Sequence, residues 1–175
     1  MDIHKIKLLL NTVKYLKPIQ VYYRLYYFFR NRAFNIEARE KLAPVIKAIK
    51  WESKLNSSAI YLHKTKSFIF LNINHNFSGE IDWNYTKYGK LWTYNLNYFD
   101  FLNQEDMSIE IGINLINDYI KNDKNLKDGK EPYPISLRGI NWVKFLSEND
   151  IRDTEIDQTL YHHYKILLRN LEYHL

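Results

Sequence analysis

The sequence predicts a mainly α-helical protein with one small β excursion, and three observations predict it. Apolar residues recur at three- and four-residue spacing over most of the chain. One stretch near its middle alternates in the two-residue period of a strand, and Gly, Pro, Asn and Asp cluster between the patterned segments. The chain has 175 residues and 46% hydrophobic content, enough for one domain with a real core. No repeat or Ser/Gly/Pro-rich linker divides it. The expected organisation is a helical lead-in over 1–57, a hairpin and loop over 58–90, and a helical array over 91–175. Antiparallel neighbours joined by short loops would make a bundle or an arc of helix pairs.

Residues 3–16 place Ile3, Ile6, Leu9 or Leu10, Val13 and Leu16 on one helical face. Pro18 ends that helix and can open the next at its first turn. The segment "IQVYYRLYYFFRNR" crowds Tyr22, Tyr23, Tyr26, Tyr27, Phe28 and Phe29 around Arg24 and Arg30. It reads either as a wide core-facing helix face whose hydroxyls reach polar partners or as a membrane-surface helix. Residues 37–50 fit a short helix stopping before Trp51. In "SAIYLHKTKSFIFLN", Ile60 and Leu62, then Phe68 and Phe70, alternate about a polar turn, which predicts a hairpin near 58–72. "HNFSGEIDWNYTKYG" reads as a loop with an embedded apolar anchor.

In "KLWTYNLNYFDFL", Leu91, Tyr94 or Asn95, Tyr98 and Leu102 have helical spacing. "SIEIGINLINDYIK" fits strand or helix. Its length and the cap position of Ser108 favour a helix with Ile109, Ile113, Ile116 and Ile120 on one face. "KNDKNLKDGK" reads as a charged, solvated loop. In the last segment Ile156, Leu160, Tyr164, Leu167, Leu171 and Leu175 step by four or three, and Thr154 with Asp157 resembles a capping box. No stop signal follows, so a continuing helix is the expectation.

Composition excludes several functions. Without cysteine there is no disulfide, thiol catalysis or Cys-ligated zinc. A net charge of +5 and a pI near 9.1 favour an acidic partner without naming one. The charges are dispersed, so nucleic acid is not an expected partner. The opening three-leucine run is too short for a signal peptide and no stretch approaches a membrane span, which makes the cytoplasm the default compartment and a membrane not an expected partner. The 18 Asn and 15 Tyr share A/T-rich codons with Lys and Ile, so their placement carries more than their abundance. There is no Gly-rich phosphate loop, GxSxG elbow or HExxH. His162 and His163 project about 100° apart and cannot share a metal as an i, i+4 pair would. No catalytic residue, cofactor or metal is assigned.

Two clusters carry the chemistry that remains. "LWTYNLNYFD" interleaves Trp92, Tyr94 and Tyr98 with Asn95, Asn97 and Asp100. Rings stack on pyranose faces and amides both donate to and accept from hydroxyls, but the same residues also serve as core and backbone partners. In "EPYPISLRGINWVKFL", Pro132 and Pro134 fix a loop and Ser136 or the loop itself caps a helix. Arg138 then falls in the first turn, with Asn141 one turn on and Trp142 sharing its face. An arginine at a helix N-terminus opposes the dipole, so it needs a reason: a carboxylate ligand or an internal acidic partner.

In this order and separation the two clusters resemble the heparinase II/III family of polysaccharide lyases. Family members carry "LW-x-x-N-L-x-Y-F-D-x-L", matched by Leu91 through Leu102, and "PYP-x-S-L-R-x-x-N-W", matched by Pro132 through Trp142. "FIFLN", "IDW" and the closing "LEYHL" also fit, so the resemblance runs from about Phe68 to Leu175. It implies a partial α/α toroid-like array of antiparallel helices at the start of a longer chain that continues into further helices and a β-sandwich. It implies β-elimination on an acidic, uronic-acid polysaccharide such as heparan sulfate, and leaves the periplasm open as a compartment. The family's Asn-His pair and its catalytic Tyr and His fall beyond Leu175, so none is carried over, and neither Tyr173 nor His174 replaces them. The substrate-binding candidates are Trp92, Asn95, Asn97, Arg138, Asn141 and Trp142. The partners implied are the acidic polysaccharide and the rest of the same chain. The alternatives are a non-catalytic helical carbohydrate-binding or assembly module in envelope polysaccharide production, and a peripheral membrane protein using residues 19–29.

Overall fold

The computed structural model describes residues 11, 14–33 and 57–170. The helix expected over 3–16 therefore lies outside the described residues except at 11 and 14–16, and the one over 37–50 lies wholly outside them. The chain divides into two compact units, Met1–Arg39 with Arg169–Leu175, and Glu40–Leu168. Among the described residues no helix is long and apolar enough to cross a membrane.

The smaller unit carries α1 (Pro18–Ala33). Pro18 takes the first helical position, where its missing N–H costs nothing. Gln20 reaches back to accept from the Lys17 N–H at 2.9 Å, the reciprocal half of a capping box.

The larger unit is mostly helical with a three-stranded antiparallel sheet, β1 (Ile60–Leu62), β2 (Ser67–Phe70) and β3 (Ile73–Asn76), in that order. The sheet thus runs one strand beyond the expected hairpin. Leu71 and Asn72, with φ of 53° and 61°, make the left-handed two-residue turn that matches strand twist. The phase of β1 differs from expectation. Tyr61 faces inward opposite Phe68, their rings 4.6 Å apart, while Ile60 and Leu62 face out. The ring pair sets the register, and a one-residue shift reverses every side chain.

Four helices follow among the described residues: α2 (Lys90–Tyr98), α3 (Ile109–Asn122), α4 (Pro132–Glu148) and α5 (Thr154–Arg169). Ser108 caps α3, its Oγ accepting from the Ile111 N–H at 3.2 Å. The buried face of α3 is Gly112, Leu115, Ile116 and Tyr119, so Ile109 is exposed and the expected stripe is rotated. On α2 the inward residues are Trp92, Thr93, Leu96 and Asn97, and Leu91 points out. At α5 the cap is Asp153, which accepts from the Glu155 and Ile156 N–H groups at 2.8 and 3.1 Å, rather than Thr154. Its buried face takes His163 in place of Tyr164.

Helix α4 begins at Pro132, not after the prolines. Both prolines occupy the first turn, whose N–H groups have no helical acceptor, so the loss of two donors is harmless. Arg138 consequently sits two turns into the helix.

The core is aromatic. Trp83, anchoring the 77–89 loop, stacks on Phe99 with centroids 5.0 Å apart and planes at 14°. Tyr119 and Trp142 meet Phe99 edge-on at 5.1 and 5.3 Å. Each such ring, fully buried, contributes roughly 1.5–3 kcal/mol relative to exposure. That packing holds Phe99 in the left-handed region at φ 59°, where it ends α2.

Candidate functional site

The site grows from the end of α2. A helix leaves its last carbonyls without partners, and they carry the negative end of the dipole. Here those of Asn97 and Tyr98 are taken by α4: Arg138 Nη1 donates to the Asn97 carbonyl at 3.2 Å, and Asn141 Nδ2 donates to the Tyr98 carbonyl at 2.9 Å. Asn103, just beyond, donates to Asn141 Oδ1 at 3.1 Å. Arg138 thus serves the C-terminus of another helix, where a cation is favoured.

Arg138 is 0% exposed, and its other contacts account for its burial. Nη1 also donates to the Gly129 carbonyl at 2.9 Å, and the guanidinium carbon lies 4.7 Å from the centre of the Tyr119 ring. Nη2 lies 3.4 Å from His163 Nδ1, and His163 Nε2 lies 2.9 Å from Asp123 Oδ1. Burial holds the His163 imidazole down at about 4, with Arg138 adding to the effect against the pull of Asp123. It is therefore neutral near pH 7. Its Nε2–H donates to Asp123 and Nδ1 offers a lone pair to Arg138. Burial alone would raise the Asp123 carboxyl, but His163 and Lys130, whose Nζ is 3.1 Å away, outweigh it and hold it at about 2. Burial pushes the Tyr119 hydroxyl well above its ordinary value. The buried polar side-chain atoms without a protein partner among the described residues, Asn97 Oδ1, Tyr119 Oη, Arg138 Nε and Trp142 Nε1, all belong to this cluster.

The 123–131 segment is charged and keeps Lys124, Asn125 and Lys127 exposed, and it is also tied down. Glu131 Oε1 accepts from Tyr94 Oη at 2.6 Å and Lys90 Nζ at 2.9 Å, and Oε2 accepts from the Gly129 N–H at 2.8 Å. Burial opposes ionisation of Glu131, yet these donors keep its carboxyl near 2. Asn84 adds two bonds, accepting from the Lys127 N–H at 2.7 Å and donating to the Asn125 carbonyl at 3.2 Å.

The structure brings Asn97, Arg138, Asn141 and Trp142 together at this junction. Trp92 lies elsewhere, between α2 and the sheet, its Nε1 donating to the Ile73 carbonyl at 3.3 Å beside Phe70 and Tyr85. Asn95 is half-buried and donates to the Leu91 carbonyl of its own helix at 2.8 Å. Five of the six candidates are buried, so what they touch is protein. Asp123 and Tyr119 are not singled out by sequence, and His163 is considered there only as a metal ligand paired with His162. One signal was available, since His163 follows Ile156 and Leu160 at helical spacing on the apolar stripe of α5.

A separate open cleft of about 220 Å³ lies between β1 and α3, lined in part by Tyr61, Lys66, Glu80, Asn114 and Asp118. That is smaller than the roughly 300–1,000 Å³ of small-molecule sites. Asp118 is already engaged, accepting from Trp83 Nε1 at 2.8 Å. Among the described residues no group of three His, Asp or Glu side chains is placed to hold a metal ion.

Fold and site together define a mainly helical unit with one small sheet, organised around a buried Arg138–His163 pair that is anchored on half-buried Asp123 and whose arginine caps a neighbouring helix. No protein-family profile, curated protein or solved structure matches the chain.

Proposed function

We propose that the chain is the N-terminal helical part of a heparinase II/III-like lyase. Its substrate class is an acidic, uronic-acid polysaccharide such as heparan sulfate, and α2–α5 open an incomplete α/α toroid. The observation that carries this reading is the junction: the Arg and Asn of "PYP-x-S-L-R-x-x-N-W" cap the helix formed by "LW-x-x-N-L-x-Y-F-D-x-L". The acceptors are main-chain carbonyls of the first motif, and Trp142 of the second also meets the Phe99 ring of the first edge-on at 5.3 Å, so the two motifs share one packed junction. Their joint presence is then one structural feature rather than two coincidences.

In this reading the reaction removes the C5 proton of a uronate, forms a C4–C5 double bond and breaks the bond to the 4-linked oxygen, which takes up a proton. Donors aimed at the carboxylate stabilise the developing enolate, and a base and an acid move the protons. Residues beyond Leu175 supply those groups. The described unit supplies the scaffold, and Asn95, half-buried on α2, is the candidate best placed to meet a sugar. The test is to express the complete reading frame that encodes this chain and incubate it with heparan sulfate, chondroitin sulfate and alginate. Ultraviolet absorbance from 4,5-unsaturated uronate ends is expected with at least one. Binding without unsaturated product would favour the non-catalytic carbohydrate-binding module, and neither binding nor product would sink both readings.

A further inference from the structure

Helix α1 presents an apolar stripe that the sequence alone leaves open between core and surface. Ile19, Tyr22, Tyr26 and Phe29 follow one another at three- and four-residue spacing with Leu25 beside them, and all five are exposed, Tyr22 at 61% and Phe29 at 65%. Tyr22 and Tyr26 lie with ring planes at 15° and centroids 6.4 Å apart, so consecutive turns offer a continuous aromatic surface. Contiguous exposure of this kind marks an interaction face.

Charge identifies the partner. Between Asp2 and Glu37 the sequence has no Asp or Glu, but it has Lys5, Lys7, Lys14, Lys17, Arg24, Arg30 and Arg32. Lys14, Lys17 and Arg24 are exposed, and Arg30 lies over the Tyr27 ring, 4.7 Å from its centre. A second copy of this helix would bring like charges together with no acid to offset them. An anionic lipid surface accepts both features at once: rings and aliphatic chains enter the headgroup boundary while the cations stay at the phosphates. We propose that α1 docks the protein on anionic membranes, lying in the interface and not crossing it. This inference does not rest on the lyase reading.

The test is co-sedimentation of the 175-residue protein with vesicles of phosphatidylcholine alone and of phosphatidylcholine with phosphatidylserine. Association with the anionic vesicles is expected, weakening as salt is raised. The double variant Tyr22→Ser/Phe29→Ser should lose about tenfold or more in affinity, and Arg24→Gln a smaller factor. Ile140→Ser, an exposed apolar position of the other unit, should bind as the parent does. Circular dichroism of each variant checks that the helices persist. Absence of binding, equal binding to neutral vesicles, or full binding by the double variant would overturn the proposal. So would a doubling of mass in solution that Phe29→Ser abolishes, which would make the occupant a second copy.

Discussion

Arg138 is a cation removed from water with no carboxylate in direct contact among the described residues. Two carbonyls, the His163 lone pair and the Tyr119 face replace its hydration. Arg138→Leu should therefore unfold the larger unit at lower denaturant, by roughly 3–5 kcal/mol, because three acceptors lose their donor at once. His163 makes a second prediction through pH. Its ordinary value is 6.5 and its folded value about 4, so the unfolded chain takes up the proton first. The associated stability is complete above 6.5 and drains away as pH falls towards 4. Asp123, ordinarily 3.8 and here about 2, adds its own loss only below that range. The unfolding free energy from urea titrations should fall by on the order of 2–3 kcal/mol from about pH 7 down to pH 4.5, and His163→Gln should flatten the profile.

Between α3 and α4 the approach is set by one missing side chain. A Cβ at Gly112 would run into the Phe145 ring. Gly112→Ala gains up to about 1 kcal/mol in helix propensity but must displace that ring. A net loss of about 1–3 kcal/mol is expected from thermal or urea unfolding. At this scale the sequence is legible where local chemistry decides. The Ser108 cap and the Pro18 start follow from groups that bond to their own chain within a turn. It is illegible where a distant partner decides: the phase of β1 depends on Phe68 across the sheet, and the inward face of α2 on the contacts of Trp92 with the sheet and Asn97 with Trp83. The prolines of "PYP" misplace the start of α4 because a proline serves equally at the end of a loop and in a first turn.

Across the larger unit, two segments 41 residues apart converge on one junction. A single sequence shows that Asn97, Arg138, Asn141 and Trp142 are an unusual set, but not whether they face a sugar or each other. Burial separates the two, because side chains 0–5% exposed and packed against protein present almost no surface to a ligand. Asn103 and Asn141 provide the most direct test, since their side chains bond each other across the junction at 3.1 Å. Urea unfolding, followed by tryptophan fluorescence, of Asn103→Ala, Asn141→Ala and the double variant gives their coupling energy. If this bond ties α4 to the segment that follows α2, the coupling falls in the range of about 0.5–3 kcal/mol. Additive losses, with a coupling within about 0.3 kcal/mol of zero, would contradict that account.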